Sequence, residues 1–171
     1  LGHGGSGKTT LAEAMLFAAK VNTRFGTIDD GTTMLDFTDI EKDRKHSVDP
    51  AAAHFDHHGK TINLIDAPGY PDFIGGSLGT MVGADTAVVV IAAGHGIAVN
   101  TRRLLMAAKD AGMPVAIVVN RIDAENLDLP GLLEHGAGHE TPGEQKGGRD
   151  ARLDHRQPEA DGDHPSRVPD R

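Results

Sequence analysis

Three observations predict an α/β fold for this chain, with a mostly parallel sheet flanked by helices. Apolar β-branched runs alternate with stretches of helical periodicity over residues 1–134. The opening stretch Gly2 to Thr9, G-H-G-G-S-G-K-T, fits the phosphate-binding spacing G-x-x-x-x-G-K-[ST] and runs directly into a helical pattern. Two polar stretches, D-A-P-G from Asp66 and N-R-I-D from Asn120, fall at the C-terminal ends of predicted strands, where open α/β sheets take ligands.

The first element is the glycine loop. Without side chains, Gly2, Gly4, Gly5 and Gly7 let successive backbone N–H groups turn inward around phosphates. Lys8 brings a compact positive charge to the β/γ oxygens, and the Thr9 hydroxyl is suited to Mg²⁺. Together with His3, Ser6 and Thr10 these residues form the candidate phosphate-binding stretch. From Thr9 to Lys20, Leu11, Met15 and Phe17 or Ala18 recur at helical spacing, so the helix N-terminus adds its dipole to the anion site. A phosphate loop ordinarily follows a buried strand. Only Leu1 precedes this one, too little to form it, so the sheet is expected to lack its first strand, and its last elements as well.

Val21 to Pro50 has little periodicity and is expected to be a long exposed loop. Ala51–Asp56 and Thr61–Asp66 flank H-H-G-K and predict a β-hairpin that leaves Asp66 at a strand's end. A turn follows to Asp72, then a weak glycine-containing helix from Phe73 to Gly83. Asp85 to Ala93 fits a strand buried on both faces. Thr101 to Ala111 predicts a helix with Leu104, Leu105 and Ala108 inward, Pro114 to Val119 another buried strand, and Leu127 to Glu134 a short helix.

Composition restricts the functional classes. The 171 residues include no cysteine, which excludes disulfides and thiolate metal sites and makes the cytoplasm the expected compartment. The longest apolar run, Ala87 to Ala93, is far short of the ~20 residues a membrane helix requires, so no membrane association is expected. A formal net charge of −8 argues against free nucleic-acid binding by phosphate neutralisation.

Residues 135–171 lose hydrophobic periodicity and mix Gly, Pro, His, Asp, Glu and Arg with no aromatic, which predicts a low-complexity, disordered tail. His54, His57 and His58 cluster at the hairpin, but no carboxylate or cysteine with ligand spacing accompanies them, so they are expected to be solvated.

The D-x-x-G of Asp66–Gly69 supplies a carboxylate that can hold Mg²⁺ through water, and a Gly69 N–H open to a γ-phosphate. In N-R-I-D, an ionised Asp123 matches the paired donors of guanine, which adenine lacks. Arg121 stands where lysine is usual in such a loop, and its guanidinium can still cover the base.

Taken with G-T-T-M-L-D-F, Glu41 and Arg44, and the run D-A-P-G-Y-P-D-F, these motifs resemble the GTP-binding domain of elongation factor G and its relatives, over residues 1–134. The resemblance implies a P-loop GTPase: GTP/GDP as nucleotide, Mg²⁺ as cofactor, and the ribosome as partner in translocation or disassembly. It implies Thr9, Ser47 and Asp66 at the metal. Ser47 stands where the family has threonine. Lys8, Gly69 and Tyr70 fall at the reacting phosphate, Tyr70 where the family carries the histidine that positions water. The family's S-A-[KL] base-supporting loop and its later domains are absent from the sequence. A nucleotide-binding switch module without useful turnover, or a truncated product, are the alternatives.

Overall fold

The computed structural model describes residues 1–125, 127, 130 and 131. The chain divides into two units, Leu1–His139 and Glu140–Arg171. The second unit, the expected tail and boundary at residues 134–135, and nearly all of the helix expected from Leu127 lie outside the described residues.

Alternation in sequence builds the first layer. Strand β1 (Ala51–His57) pairs antiparallel with β2 (Lys60–Asp66) in the register Ala51 to Asp66, Ala53 to Leu64 and Phe55 to Ile62. The connection turns at His58 (φ 48°) and Gly59 (φ 74°), both left-handed, as a two-residue hairpin loop requires. Because side chains alternate, Ala51, Ala53 and Phe55 share a face with Ile62, Leu64 and Asp66. That face packs on helix α1 (Lys8–Ala18): Ala12, Leu16, Leu35, Ala51 and Phe55 form a buried cluster, with Ala53, Ile62 and Leu64 against it.

The inward face of α1 differs from the sequence expectation. Ala12, Glu13 and Leu16 are buried with Lys8 and Thr9, whereas Met15 and Phe17 are exposed. The helix starts at the phosphate loop with Lys8 and Thr9 turned inward, and a 3.6-residue repeat from those positions selects 12, 13 and 16.

Val21 to Pro50 is not the open loop its composition suggested. It contains helix α2 (Asp39–Arg44), started by a capping box in which the Thr38 hydroxyl accepts from the Glu41 N–H and the Glu41 carboxylate accepts from the Thr38 N–H. Two buried carboxylates fix the rest. Glu13 Oε1 accepts from the N–H groups of Met34 (2.5 Å) and Leu35 (3.0 Å), and Glu41 Oε1 from those of Val48 (3.1 Å) and Asp49 (3.3 Å). Each carboxylate thus satisfies backbone donors that a partly buried segment would otherwise leave unpaired.

The glycine-rich helix α3 (Ile74–Thr80) is short and flanked by single 3₁₀ turns, Pro71–Phe73 and Met81–Gly83, in keeping with its poor helix formers. The second layer, a βαβ unit, follows it. Strand β3 (Ala87–Ala92) runs parallel to β4 (Val115–Asn120), connected by α4 (Val99–Asp110). Ala87, Val89, Val90, Ile91 and Ala92 are buried, while Val88 is exposed. Helix α4 turns Thr101, Leu104 and Ala108 inward and leaves Leu105 half-buried.

The expected α/β architecture is present, with its described strands hydrogen-bonded as two separate pairs, one antiparallel and one parallel. Leu1 lies along β3, its terminal amine donating to Val88 O (2.7 Å) and its carbonyl accepting from Val90 N–H (2.8 Å). Among the described residues no helix is long and apolar enough to cross a membrane.

Candidate functional site

The phosphate loop joins the two layers, and glycine is what lets it do so. Gly2 (φ 140°), Gly5 (φ 76°) and Gly7 (φ 89°) adopt backbone conformations that side chains resist. A Cβ at Gly2 would collide with the Val90 carbonyl on β3, and one at Gly7 with the Asn120 amide at the end of β4. On the side of the second layer, His3 N–H donates to Thr101 Oγ1 on α4 (3.1 Å) and Asn120 Nδ2 donates to Ser6 O (2.9 Å). On the side of the hairpin, Thr9 Oγ1 donates to Asp66 Oδ2 (2.6 Å) and lies 3.1 Å from Ser47 Oγ.

The three residues expected at a metal, Thr9, Ser47 and Asp66, thus meet in one place. Each has a local cause. Thr9 is in the first turn of α1, Asp66 ends β2 on the face that packs against α1, and Ser47 follows the Glu41-pinned end of α2. The donor set is oxygen only, two hydroxyls and a carboxylate, the chemistry of a small hard cation.

Lys8 and Gly69 meet at the same loop. Lys8 is buried and its Nζ donates to His3 O (3.0 Å). A Cβ at Gly69 would overlap Lys8 Nζ and stand 2.6 Å from Gly4 N, so only glycine allows D-A-P-G to approach the loop this closely. The turn is held from behind by Ser77, which is buried and donates to Pro68 O (2.5 Å). Tyr70 is partly exposed, with its ring against Gly4 on one side and the His46 ring at 4.4 Å on another.

Burial governs the charges. It lowers the pKa of Lys8, partly offset by Asp66 and Asp36, and raises that of Asp66 against the Thr9 hydrogen bond and the Lys8 charge. Asp36 is a carboxylate that sequence reasoning missed. It is buried and its pKa is raised by burial, with the neighbouring Ser47 hydroxyl pulling the other way and Asp66 adding to the rise; its Oδ2 has no hydrogen-bond partner.

Among the remaining expected residues, Thr10 and Gly5 are exposed on the rim, and Ser6 is buried with Oγ unpartnered. Asn120 spends its amide on the phosphate loop. Arg121 (φ 55°) and Asp123 are exposed beyond β4 and are not drawn into that contact. Glu13, His46 and Asp36 were not singled out in sequence. Only Glu41 carried a local signal, the T-x-x-E spacing from Thr38.

A glycine loop opening a helix, with strand-end carboxylate and amide groups converging on it, defines a phosphate-loop nucleotide-binding domain. Residues 1–142 match the family described as the elongation factor Tu GTP binding domain, and the chain belongs to that family. It is 42% identical over 123 residues to an elongation factor G-like protein of Mycobacterium tuberculosis (strain ATCC 25618 / H37Rv), covering 72% of this chain and 17% of that one. It is 34% identical over 130 residues to the tetracycline resistance protein TetO of Campylobacter jejuni, covering 76% of this chain and 20% of the relative.

Similar solved structures include two that span much of this chain. One is a crystal structure of a protein from Thermus thermophilus, with TM-score 0.76 and 38% identity, covering 79% of this chain and 20% of that one. The other is a bacterial selenocysteine-specific elongation factor, with TM-score 0.59 and 25% identity, covering 80% of this chain and 21% of that one. The chain therefore spans between 17% and 21% of the length of these relatives.

Proposed function

We propose that the chain binds Mg²⁺·GTP and hydrolyses it to GDP and phosphate, as the GTP-binding part of an elongation-factor-G-like ribosomal translocase or disassembly factor in the cytoplasm. The observation that carries this reading is the convergence of Ser47 and Asp66 on Thr9, and of Gly69 on Lys8, at the phosphate loop. Residues 1–134 are the working part.

In this reading the loop N–H groups from Gly2 to Thr9 hold the phosphates, with Lys8 neutralising the β/γ oxygens. The cation fits the oxygen set of Thr9, Ser47 and Asp66, and when bound it supplies charge neutralisation to the phosphates. Gly69 N–H meets the γ-phosphate. Asp123 reads guanine, Arg121 covers the base, and Asn120 joins the base loop to the phosphate loop through Ser6. Tyr70 faces the γ-phosphate beside Gly69. Its phenol is a weak acceptor for an attacking water, so Tyr70 by itself supports only slow intrinsic hydrolysis, and stimulation by the ribosome is the physiological condition.

Titration with a fluorescent guanine nucleotide tests the first half of the reading, and single-turnover phosphate release with and without ribosomes tests the second. Equal affinity for GTP and ATP would sink the guanine assignment. Tight GTP binding with no release, even on ribosomes, would leave a nucleotide-binding switch module in its place.

A further inference from the structure

His46 lies where the segment after α2 meets the segment after β2. Its ring centroid is 4.4 Å from that of Tyr70, with the planes at 44°, and 6.3 Å from that of Phe73. Both of its neighbourhoods reach the candidate phosphate site. Ser47, the next residue, brings Oγ to 3.1 Å from Thr9 Oγ1, and Gly69, just before Tyr70, packs on Lys8 and Gly4. The imidazole thus belongs to the residue before Ser47 and packs on the residue after D-x-x-G.

One hydrogen bond sets the tautomer. His46 Nδ1 is 2.8 Å from the Arg44 carbonyl oxygen, and a carbonyl only accepts, so Nδ1 carries the hydrogen. In the neutral ring this leaves the Nε2 lone pair to accept. Phosphoryl transfer needs an acceptor that holds the incoming water in line, more than it needs a strong base.

We infer that His46 is a water-orienting residue for GTP hydrolysis: its Nε2 accepts a hydrogen bond from the attacking water, and the Tyr70 ring is the platform that holds the imidazole. This rests on the GTPase reading above and deepens it. The water oxygen forms a bond to the γ-phosphorus as the bond from that phosphorus to the β–γ bridging oxygen breaks. GDP leaves with the electron pair of the broken bond, and the water's proton passes to the released phosphate. His46 orients the water and gains no proton in the balance.

The test compares the full chain with His46→Phe and His46→Gln. Three quantities are measured: GDP affinity, affinity for GDP with aluminium fluoride as the transition-state mimic, and the single-turnover rate of phosphate release. Phenylalanine keeps the ring contacts with Tyr70 and Phe73 but has no acceptor. It should leave GDP affinity within about twofold while lowering both the rate and the preference for the mimic by about tenfold or more. Glutamine offers an amide oxygen and should return the rate to within about threefold of the parent.

Tyr70 is the sole tyrosine and there is no tryptophan, so its emission reports whether the ring pair survives. Should His46→Phe fail to fold, His46→Ala set against His46→Gln carries the same contrast. Equal rates in the parent and His46→Phe at equal affinity would overturn the inference, whereas a parent that binds GTP without hydrolysing it, even on ribosomes, overturns the hydrolysis reading on which the inference rests. A parent that binds no guanine nucleotide overturns the GTPase reading itself.

Discussion

Gly4 stands against the ring of Tyr70 so closely that a Cβ at position 4 would lie 2.7 Å from Cε2 and 2.9 Å from Cζ. The φ of Gly4 is not in the left-handed region, so its backbone tolerates alanine and the ring alone opposes it. Gly4→Ala is therefore expected to push Tyr70 off the loop and away from His46. The ring is partly exposed, so the stability loss should be small, about 1 kcal/mol. Acrylamide quenching of the single tyrosine should rise. Unchanged quenching would show that the loop, and not the ring, gives way.

Asn120 and Asp123 share a motif but not a task. The Asn120 amide bridges to Ser6 O at 2.9 Å, while Asp123 is exposed beyond β4. Asn120→Ala should weaken GTP, ITP and ATP alike, by about tenfold for one lost hydrogen bond at a loop junction. Asp123→Ala should instead erase the preference for guanine, at a cost of roughly 1.5–3 kcal/mol to GTP, a smaller cost to ITP, which keeps only the N1–H donor, and none to ATP. Competition titrations with the three nucleotides separate these outcomes. A guanine-only loss in Asn120→Ala would contradict the bridging role.

What the sequence made legible was local. The phosphate loop, the hairpin around His58-Gly59 and the βαβ unit each follow from spacing or alternation within a few residues. The inward face of α1 was not legible, because its buried stripe includes Lys8, Thr9 and Glu13, which no hydrophobic count selects. The order in Val21 to Pro50 was hidden for the same reason: carboxylates rather than an apolar repeat tie it down, and one of them, Glu13, lies on another element. The roles of Thr9 and Asp66 at a cation were legible in their own motifs, and Ser47 joined them only through the resemblance. The physical cause of the convergence, the shared face of Ile62, Leu64 and Asp66 against α1, needed the register of the hairpin.

Glu41 should make stability depend on pH in a defined direction. Burial raises its pKa, but hydrogen bonds from the Thr38 hydroxyl and from the N–H groups of Val48, Thr38 and Asp49 outweigh it and hold the group below its ordinary 4.5. A depressed carboxylate contributes stability that is present above its unfolded pKa and is lost as pH falls through the folded value. Asp36 and Asp66, whose pKa values are raised, act in the opposite sense, with stability lost as pH rises through their folded values. The difference between the parent and Glu41→Gln isolates the first effect. It should be constant above about pH 5 and shrink below 4.5 in urea melts. A difference that stays level down to about pH 3 would remove the carboxylate's charge from the account.

Ser47 is the most economical test of the cation site, because it contributes one hydroxyl and no charge. Its Oγ lies 3.1 Å from Thr9 Oγ1, which in turn donates to Asp66 Oδ2 at 2.6 Å. Ser47→Ala removes one hard oxygen from that set and leaves the carboxylate in place. The Mg²⁺ concentration for half-maximal GTP binding should then rise by about tenfold, the scale of one hydrogen-bond-sized contribution of ~1.4 kcal/mol. Binding of GDP in excess Mg²⁺ should change little. Ser47→Thr restores the hydroxyl with a stiffer χ1 and should return the Mg²⁺ requirement to the parent value or below. The titration uses buffered free Mg²⁺ with a fluorescent GTP analogue. If Ser47→Ala and the parent require the same Mg²⁺, the segment after α2 takes no part in holding the cation, and the contact with Thr9 is a packing contact only.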